Sequence, residues 1–153
     1  MEKSTDVVSA APLWPNGDSS LLHLVRRAAQ RTTTYWTSTV SSGLSAVQYA
    51  ILVVLAEMDS CDQQTLGYRA GFDKATGTYL IDRMSKSGLI TTQIDATNRR
   101  RKIVTMTDEG RSVLDQMVDE ARKTEALMTA HLSVEDVAQL KLLLSKLTDV
   151  EHD

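Results

Sequence analysis

A run of four cations, Arg-Arg-Arg-Lys at residues 99–102, lies between two short segments rich in β-branched residues. The window from residue 69 to residue 102 holds eight Lys and Arg against three acidic residues, whereas the whole chain has a formal net charge of −3. A protein that concentrates positive charge in one part of its fold and is acidic elsewhere is suited to bind a polyanion on one face. The other interpretation of such a run is a solvated surface tract without a partner.

Residues that could support catalysis or hold a metal are few. The chain has three histidines and one cysteine, and none of them shows the spacing of a metal site. It also has no glycine-rich loop of the kind that cradles a phosphate. We therefore expect no enzyme activity, no catalytic residues, no metal and no cofactor. Cys61 excludes an internal disulfide framework, fits a reducing compartment, and leaves redox sensing as an alternative role.

The length of 153 residues and the hydrophobic fraction of 42% fit one globular domain. No apolar run approaches the roughly 18–20 residues that span a bilayer. Residues 1–11 lack the charged and then apolar layout of a secretory signal. We therefore expect a cytoplasmic protein with no membrane partner.

Helix start and stop signals divide the chain into elements that could position the basic run. Residues 1–17 contain both prolines and are predicted to be a flexible arm. An apolar face predicts a helix from residue 18 or 19 to about residue 40, and Ser-Ser-Gly at 41–43 ends it. Ser45 with Gln48 is a capping-box pair that begins a second, nearly continuously apolar helix. Residues 59–61 are predicted to be a connection.

The middle of the chain has the pattern of a helix-turn-helix. Asp62 is placed to cap a short helix that stops near Gly71, and Asp73 to cap a second helix that runs to about Ser87. The second helix has few apolar positions and a polar face. In a helix-turn-helix the second helix enters the major groove of DNA.

After Gly88 the pattern changes to that of a β-hairpin. Residues 89–94 and 102–106 are predicted strands, which places the four cations at the tip of a wing. Thr107 then caps a helix that runs to about residue 131, and Ser133 caps a last helix with an apolar stripe. The predicted fold is mainly α with a small β-hairpin wing, a winged helix-turn-helix at about 45–107, flanked by dimerisation helices at about 18–42 and 108–150.

Over about residues 20–150 the sequence resembles the multiple antibiotic resistance regulator (MarR) family of bacterial transcription factors. The most specific motifs are Gly-Leu-Ile at 88–90, Asn-Arg-Arg at 98–100 and Thr-Asp-Glu-Gly at 107–110. The chain departs from the family pattern at Gly77 and Ser85, where an aliphatic residue or Ala is usual. It departs again at Asn98, where the family usually has an Asp that pairs with the arginine two residues on.

The resemblance implies that the protein binds double-stranded DNA through the second helix of the motif and the wing. Arg100 is then the arginine that enters the minor groove beside Asn98, and the other three cations of the run, Arg99, Arg101 and Lys102, contact phosphates. The residues implied in base readout are Thr76, Thr78, Tyr79 and Arg83. The residues implied in contacts to the DNA backbone are Lys74, Lys86, Gln63, Gln64 and Thr65.

The resemblance also implies a homodimeric repressor that binds a pseudo-palindromic operator and is released by a small aromatic carboxylate or a related aromatic effector. An arginine of the first helix would hold the carboxylate, because its planar fork pairs both oxygens. The implied ligand-binding residues are Arg26, with Arg27 as the alternate, His23, and the aromatic residues Tyr35, Trp36 and Tyr49. Two alternatives stay open: a redox-sensing regulator that uses Cys61, and a winged-helix module that binds a protein.

Overall fold

The computed structural model describes residues 20–149. Within this range the chain forms six helices: α1 (Leu21–Thr39), α2 (Ala46–Met58), α3 (Gln63–Ala70), α4 (Lys74–Lys86), α5 (Asp108–Met128) and α6 (Val134–Thr148). The same range contains three strands: β1 (Ser60–Asp62), β2 (Ile90–Ile94) and β3 (Lys102–Met106). The predicted N-terminal arm at 1–17 lies outside the described residues. Over residues 20–149, no helix has the length and apolar character needed to cross a membrane.

Side-chain caps set the start of every described helix. Each capping side chain accepts a hydrogen bond from the backbone amide three residues later, which satisfies an amide that the helix itself leaves unpaired. The predicted capping box is present, with Ser45 N donating to Gln48 Oε1 at 2.8 Å and Gln48 N donating to Ser45 Oγ at 3.2 Å. The caps are Ser20, Ser45, Asp62, Asp73, Thr107 and Ser133. Five of these were predicted, and α1 begins after Ser20.

The predicted hairpin is part of a three-stranded antiparallel sheet in the order β1-β3-β2. Its register places Ile90 opposite Met106 and Ile94 opposite Lys102. The third strand, β1, pairs with β3 so that Cys61 lies opposite Val104. The prediction of a plain connection at 59–61 was therefore wrong, because three residues are too few to show an alternating pattern and the strand forms only through its distant partner.

A single apolar core holds the helix-turn-helix and the sheet together. The central helix α2 contributes Ile51, Leu52 and Leu55, which are fully buried. Around it pack buried side chains from the other elements, among them Leu66, Ile81, Met84, Ile90, Val104 and Leu114. Each large aliphatic side chain buried in this way contributes about 1.5–3 kcal/mol. The core therefore fixes α3, α4 and the wing strands relative to one another.

The two terminal helices extend from this unit. α1 packs along α5, and the loop that follows α1 is held to α5 by Ser41, whose amide and hydroxyl both donate to the Glu120 carboxylate at 2.6 and 3.0 Å. α5 ends at Met128, three residues before the predicted end. None of the α6 residues, all within the described range, is buried. Its leucines remain exposed in the single chain.

Candidate nucleic-acid interface

The helix α4 buries one face and exposes the other. Gly77, Ile81 and Met84 are buried at a spacing of four and three residues, which is one side of a helix. The polar residues implied in DNA contact lie on the exposed part of the surface: Lys74, Thr76, Thr78, Tyr79, Arg83 and Lys86. The structure thus brings the six α4 positions together on a continuous solvent-facing surface.

Phe72, in the turn of the motif, sets how closely α3 and α4 approach. Its ring lies against the backbones of Gly67 in α3 and Gly77 in α4. A Cβ atom added at Gly67 would be 2.9 Å from Phe72 Cε2, and one added at Gly77 would be 2.7 Å from Cδ2. These separations are too short for carbon atoms. The departure from the family pattern at Gly77 therefore has a structural reason, since a larger residue would require the Phe72 ring to move from its present position.

Two of the implied base-reading residues contact each other. Arg83 Nη1 donates to the Tyr79 hydroxyl at 2.7 Å, and its Cζ atom lies 5.7 Å from the centroid of the Tyr79 ring. Both side chains are exposed. The tyrosine therefore orients a planar guanidinium on the solvent-facing side of α4, and such a fork is suited to the O6 and N7 acceptors of guanine.

At the start of α3, the capping residue Asp62 binds one of the residues implied in DNA contact, Thr65. Asp62 accepts from the Thr65 amide at 3.1 Å and from the Thr65 hydroxyl at 2.6 Å. The Thr65 hydroxyl is the main reason that the pKa of Asp62 lies below its usual range, with Arg101 adding to the effect. Because Thr65 is engaged in this way, half-buried Gln63 and exposed Gln64 are the implied α3 residues left for a phosphate contact.

The wing tip, residues 95–101, is built from short side-chain turns. Asp95 accepts from the Thr97 amide at 2.9 Å and from its hydroxyl at 2.8 Å, and these bonds hold the pKa of Asp95 below its usual range. Asn98 accepts from the amide of Arg100 at 3.1 Å through its side chain. Asn98 therefore shapes the turn through the backbone and does not pair with the Arg100 guanidinium.

The four cations of the wing differ in what they contact. Among residues 20–149, the side chains of Arg99, Arg100 and Lys102 make no hydrogen bond or ion pair. Arg101 instead lies 3.4 Å from Asp62 and 3.6 Å from Asp95. The position of Arg101 therefore does not favour the implied phosphate contact, because its guanidinium pairs with two carboxylates of the same chain.

A groove of about 570 Å³ separates the wing from the starts of α3 and α4. Phe72 and Gly67 lie along it, and polar side chains from both sides line it: Asp62, Gln63, Gln64, Asp73, Lys74, Arg100, Arg101 and Lys102. Lys74 at the start of α4 and the unpaired wing cations Arg100 and Lys102 thus flank one open channel. An anionic chain lying in this channel would meet cations on both sides.

The residues implied in effector binding do not form one site in a single chain. Trp36 and Tyr49 come together, with ring centroids 5.4 Å apart, and Trp36 Nε1 donates to the Leu44 carbonyl at 2.8 Å. Arg26 lies nine residues before Tyr35 on α1, which is about 13.5 Å along the helix axis. Arg27 and Arg26 are exposed, and His23 lies half-buried near the start of the helix.

The sequence interpretation missed Arg31. Its guanidinium donates to the Tyr35 hydroxyl at 2.9 Å and lies 5.5 Å from the centroid of that ring. The signal that could have found this pair is its spacing, because side chains four residues apart lie on the same face of a helix. Tyr35 thus has an arginine neighbour that is neither Arg26 nor Arg27.

Cys61 lies buried in β1. Burial is the main cause that raises the pKa of its thiol, and the negative charge of Asp62 raises it further, while Arg69 lowers it. A reactive cysteine needs a populated thiolate, which a raised pKa depletes. The surroundings of Cys61 therefore do not favour the redox-sensing alternative.

Comparison with known proteins finds similarity to DNA-binding regulators. The model of the MarR family matches residues 44–102. The HTH-type transcriptional repressor NicR of Pseudomonas putida is 27% identical over 132 residues, covering 86% of this chain and 84% of the relative. A solved structure of a probable transcriptional regulator from Pseudomonas aeruginosa is 31% identical with a TM-score of 0.78, covering 84% of this chain and 96% of the other.

A second similar solved structure is that of BpsR from Bordetella bronchiseptica. The DNA binding of BpsR is regulated by 6-hydroxynicotinic acid. Its chain is 28% identical to this one with a TM-score of 0.78, covering 84% of this chain and 98% of the other. Both solved structures therefore match more than four fifths of this chain.

Proposed function

The chain belongs to the MarR family of DNA-binding transcriptional regulators, and from this premise we propose that it is a homodimeric repressor of a pseudo-palindromic operator, released by a small aromatic carboxylate. The observation that carries the proposal is the channel between α4 and the wing. Gln63, Gln64 and Lys74, at the starts of α3 and α4, line one side, and the wing cations Arg100 and Lys102, which have no protein partner among residues 20–149, line the other. In this assignment α4 reads base edges in the major groove and Arg100 enters the minor groove.

The exposed apolar surface supports a dimer. Leu140, Leu143, Leu144 and Leu147 of α6 are between 41% and 54% exposed, and Leu21 and Leu22 of α1 are each 67% exposed. Exposed leucines that recur along one face of a helix favour an association site. A two-fold dimer would place two α4 helices about one DNA turn apart, which explains why the operator should be pseudo-palindromic.

The proposed effector class rests on the relatives together with α1. NicR is named a repressor, and BpsR is described as regulated by 6-hydroxynicotinic acid, an aromatic carboxylate. In this chain Arg26 offers a guanidinium without a carboxylate partner among the described residues, next to exposed apolar side chains of the same helix. We place the protein in the cytoplasm and assign it no catalytic role, metal or cofactor.

The DNA assignment is tested by measuring affinity for a duplex that the protein itself selects from a random pool. We expect Arg100→Ala to weaken binding of that duplex by about tenfold or more, because the variant loses a groove contact in each half-site. Arg122→Ala is the matched control, since Arg122 is an exposed arginine of α5 that pairs with Asp119. It should bind the duplex like the unchanged protein.

Salt dependence separates DNA binding from the protein-interaction alternative. Counterion release gives a log–log slope of about −0.9 per neutralised phosphate. A protein that selects no duplex, or whose binding does not fall steeply with salt, would favour the winged-helix module that binds a protein. Equal affinities of Arg100→Ala and the unchanged protein would contradict the wing assignment.

A further inference from the structure

We propose that Arg101 is a positioning residue that anchors the wing to the start of the helix-turn-helix, and that it is not a phosphate contact. The inference rests on the proposed DNA-binding function and adds how the two DNA-contacting parts are held relative to each other. Arg101 sits in the middle of the basic run, where charge alone would assign it to DNA.

The guanidinium of Arg101 bridges two carboxylates through different nitrogens. Nη2 lies 3.4 Å from Asp62 Oδ1, and Nη1 lies 3.6 Å from Asp95 Oδ2. Asp62 begins α3, and Asp95 begins the wing tip. The carboxylate side chains are only 16% and 17% exposed, whereas Arg101 is 49% exposed. The bridge therefore joins the wing to α3 across 39 residues of sequence.

Both carboxylates are held in place by other bonds. Asp62 caps α3 by accepting from Thr65, and Asp95 accepts from the amide and hydroxyl of Thr97. Neither carboxylate can follow the arginine without breaking its own turn. The bridge thus has two fixed ends, which is what a positioning role requires.

The backbone of Arg101 is fixed as well. Its amide donates to the Asn98 carbonyl at 2.9 Å, and its carbonyl accepts from the Asp95 amide at 2.9 Å. The adjacent residue, Arg100, has a side chain without a partner in the described part of the chain. Anchoring Arg101 therefore limits how far the wing tip can move relative to α3 and presents Arg100 at a fixed position.

Two roles for Arg101 predict opposite effects of removing an acidic neighbour. If Arg101 binds phosphate, Asp95→Asn removes a competing and DNA-repelling charge, and DNA affinity rises. If Arg101 anchors the wing, the same variant loosens the wing, and affinity falls. Asn keeps the side-chain oxygen that accepts from Thr97, so the turn itself is retained.

The experiment measures affinity of the full-length protein for its selected duplex over a range of salt concentrations. We expect Arg101→Met to weaken binding by about fivefold and Asp95→Asn to weaken it by a smaller factor, because the pair with Asp62 remains. The double variant should be no weaker than Arg101→Met alone, because Asp95 acts through Arg101. Arg101→Met should leave the log–log salt slope unchanged, whereas Arg99→Met, the matched phosphate-contact variant, should reduce its magnitude by about 0.9 per protomer.

The outcomes distinguish this inference from the proposed function. Unchanged or tighter binding by Asp95→Asn, additive losses in the double variant, or a smaller slope for Arg101→Met would each overturn the positioning role. Failure of the unchanged protein to select any duplex would instead overturn the DNA-binding proposal. Thermal unfolding of each variant provides the folding control, and we expect little change because the bridge is partly exposed to solvent.

Discussion

At the scale of single residues, Arg26 and Arg31 of α1 differ in what surrounds them. Arg31 donates to the Tyr35 hydroxyl and lies over its ring, so its guanidinium is already engaged. Arg26 has no hydrogen-bond or ion-pair partner within residues 20–149. Leu22, one turn earlier on the same helix, is 67% exposed. A guanidinium beside an apolar side chain suits a ligand with a carboxylate and a ring.

We therefore expect Arg26→Gln to leave DNA affinity unchanged and to abolish release of DNA by an aromatic acid, with 6-hydroxynicotinic acid as the first probe. The physical reason is the loss of the paired, charge-assisted hydrogen bonds to the carboxylate. The measurement is DNA binding with and without the acid, together with the thermal shift that the acid produces by binding the folded state.

Arg31→Gln is the comparison variant on the same helix. A normal response to the acid in Arg26→Gln together with a lost response in Arg31→Gln would transfer the anchoring role to Arg31. A duplex that is released normally from both variants would remove Arg26 and Arg31 from the effector site and leave Arg27 as the α1 arginine to test.

Residue type alone could predict the basic wing but could not separate its members. Arg100 and Arg101 are chemically identical and adjacent, and the resemblance to a family assigned both to DNA. Their difference depends on Asp95 and Asp62 together. Asp62 is distant in sequence and is brought near by the pairing of β1 with β3. A partner that arises from tertiary structure leaves no local signal.

At the scale of elements, the junction between β3 and α5 is built from the family motif at 107–110. The Thr107 hydroxyl donates to the Gly88 carbonyl at 2.6 Å and accepts from the Gly110 amide at 3.0 Å, while the Thr107 amide donates to the Leu89 carbonyl at 3.1 Å. Gly110 is buried against the backbone of Leu89, the residue that precedes β2. The motif therefore joins the wing to the long helix α5.

We expect Gly110→Ala to reduce the free energy of unfolding by about 1–3 kcal/mol, because the added methyl group would overlap the Leu89 backbone. A Cβ atom there would also lie 2.9 Å from Met106 Cγ and 3.1 Å from the Leu89 carbonyl carbon. Denaturant unfolding monitored by circular dichroism measures the change. Ser112→Ala, at an exposed position of α5, should change it by less than about 0.5 kcal/mol.

An equal effect of the two substitutions would contradict the close approach at Gly110.

The helix boundaries were largely predictable because capping is local: Ser45 and Gln48, or Asp73 and Thr76, lie three residues apart. The strand β1 was not predictable, because its three residues form a strand only where β3 lies beside them.

At the scale of the whole molecule, the terminal helices have an apolar surface that the single chain leaves uncovered. We expect Leu143→Glu to shift the protein from dimer to monomer and to weaken operator binding by about tenfold or more, because a carboxylate would be buried in the interface without a partner. Light scattering coupled to size-exclusion chromatography measures the oligomeric state, and the same samples can be used for DNA binding.

Ser145→Glu adds the same charge to α6 at an exposed position on the other side of the helix. It should remain dimeric. A Leu143→Glu variant that stays dimeric, or an unchanged protein that is monomeric at micromolar concentration, would contradict the assignment of α6 to the interface.

The contact of Phe72 with Gly67 and Gly77 restricts how this regulator could be re-engineered. Operator preference is often altered by grafting the DNA-reading helix of one protein onto another. Here a donor helix with Ala or an aliphatic residue at position 77 would collide with the phenyl ring, so the graft would displace the ring or tilt α4. A chimera should therefore exchange residues 67, 72 and 77 as one set, which makes the whole motif, and not α4 alone, the smallest transferable unit.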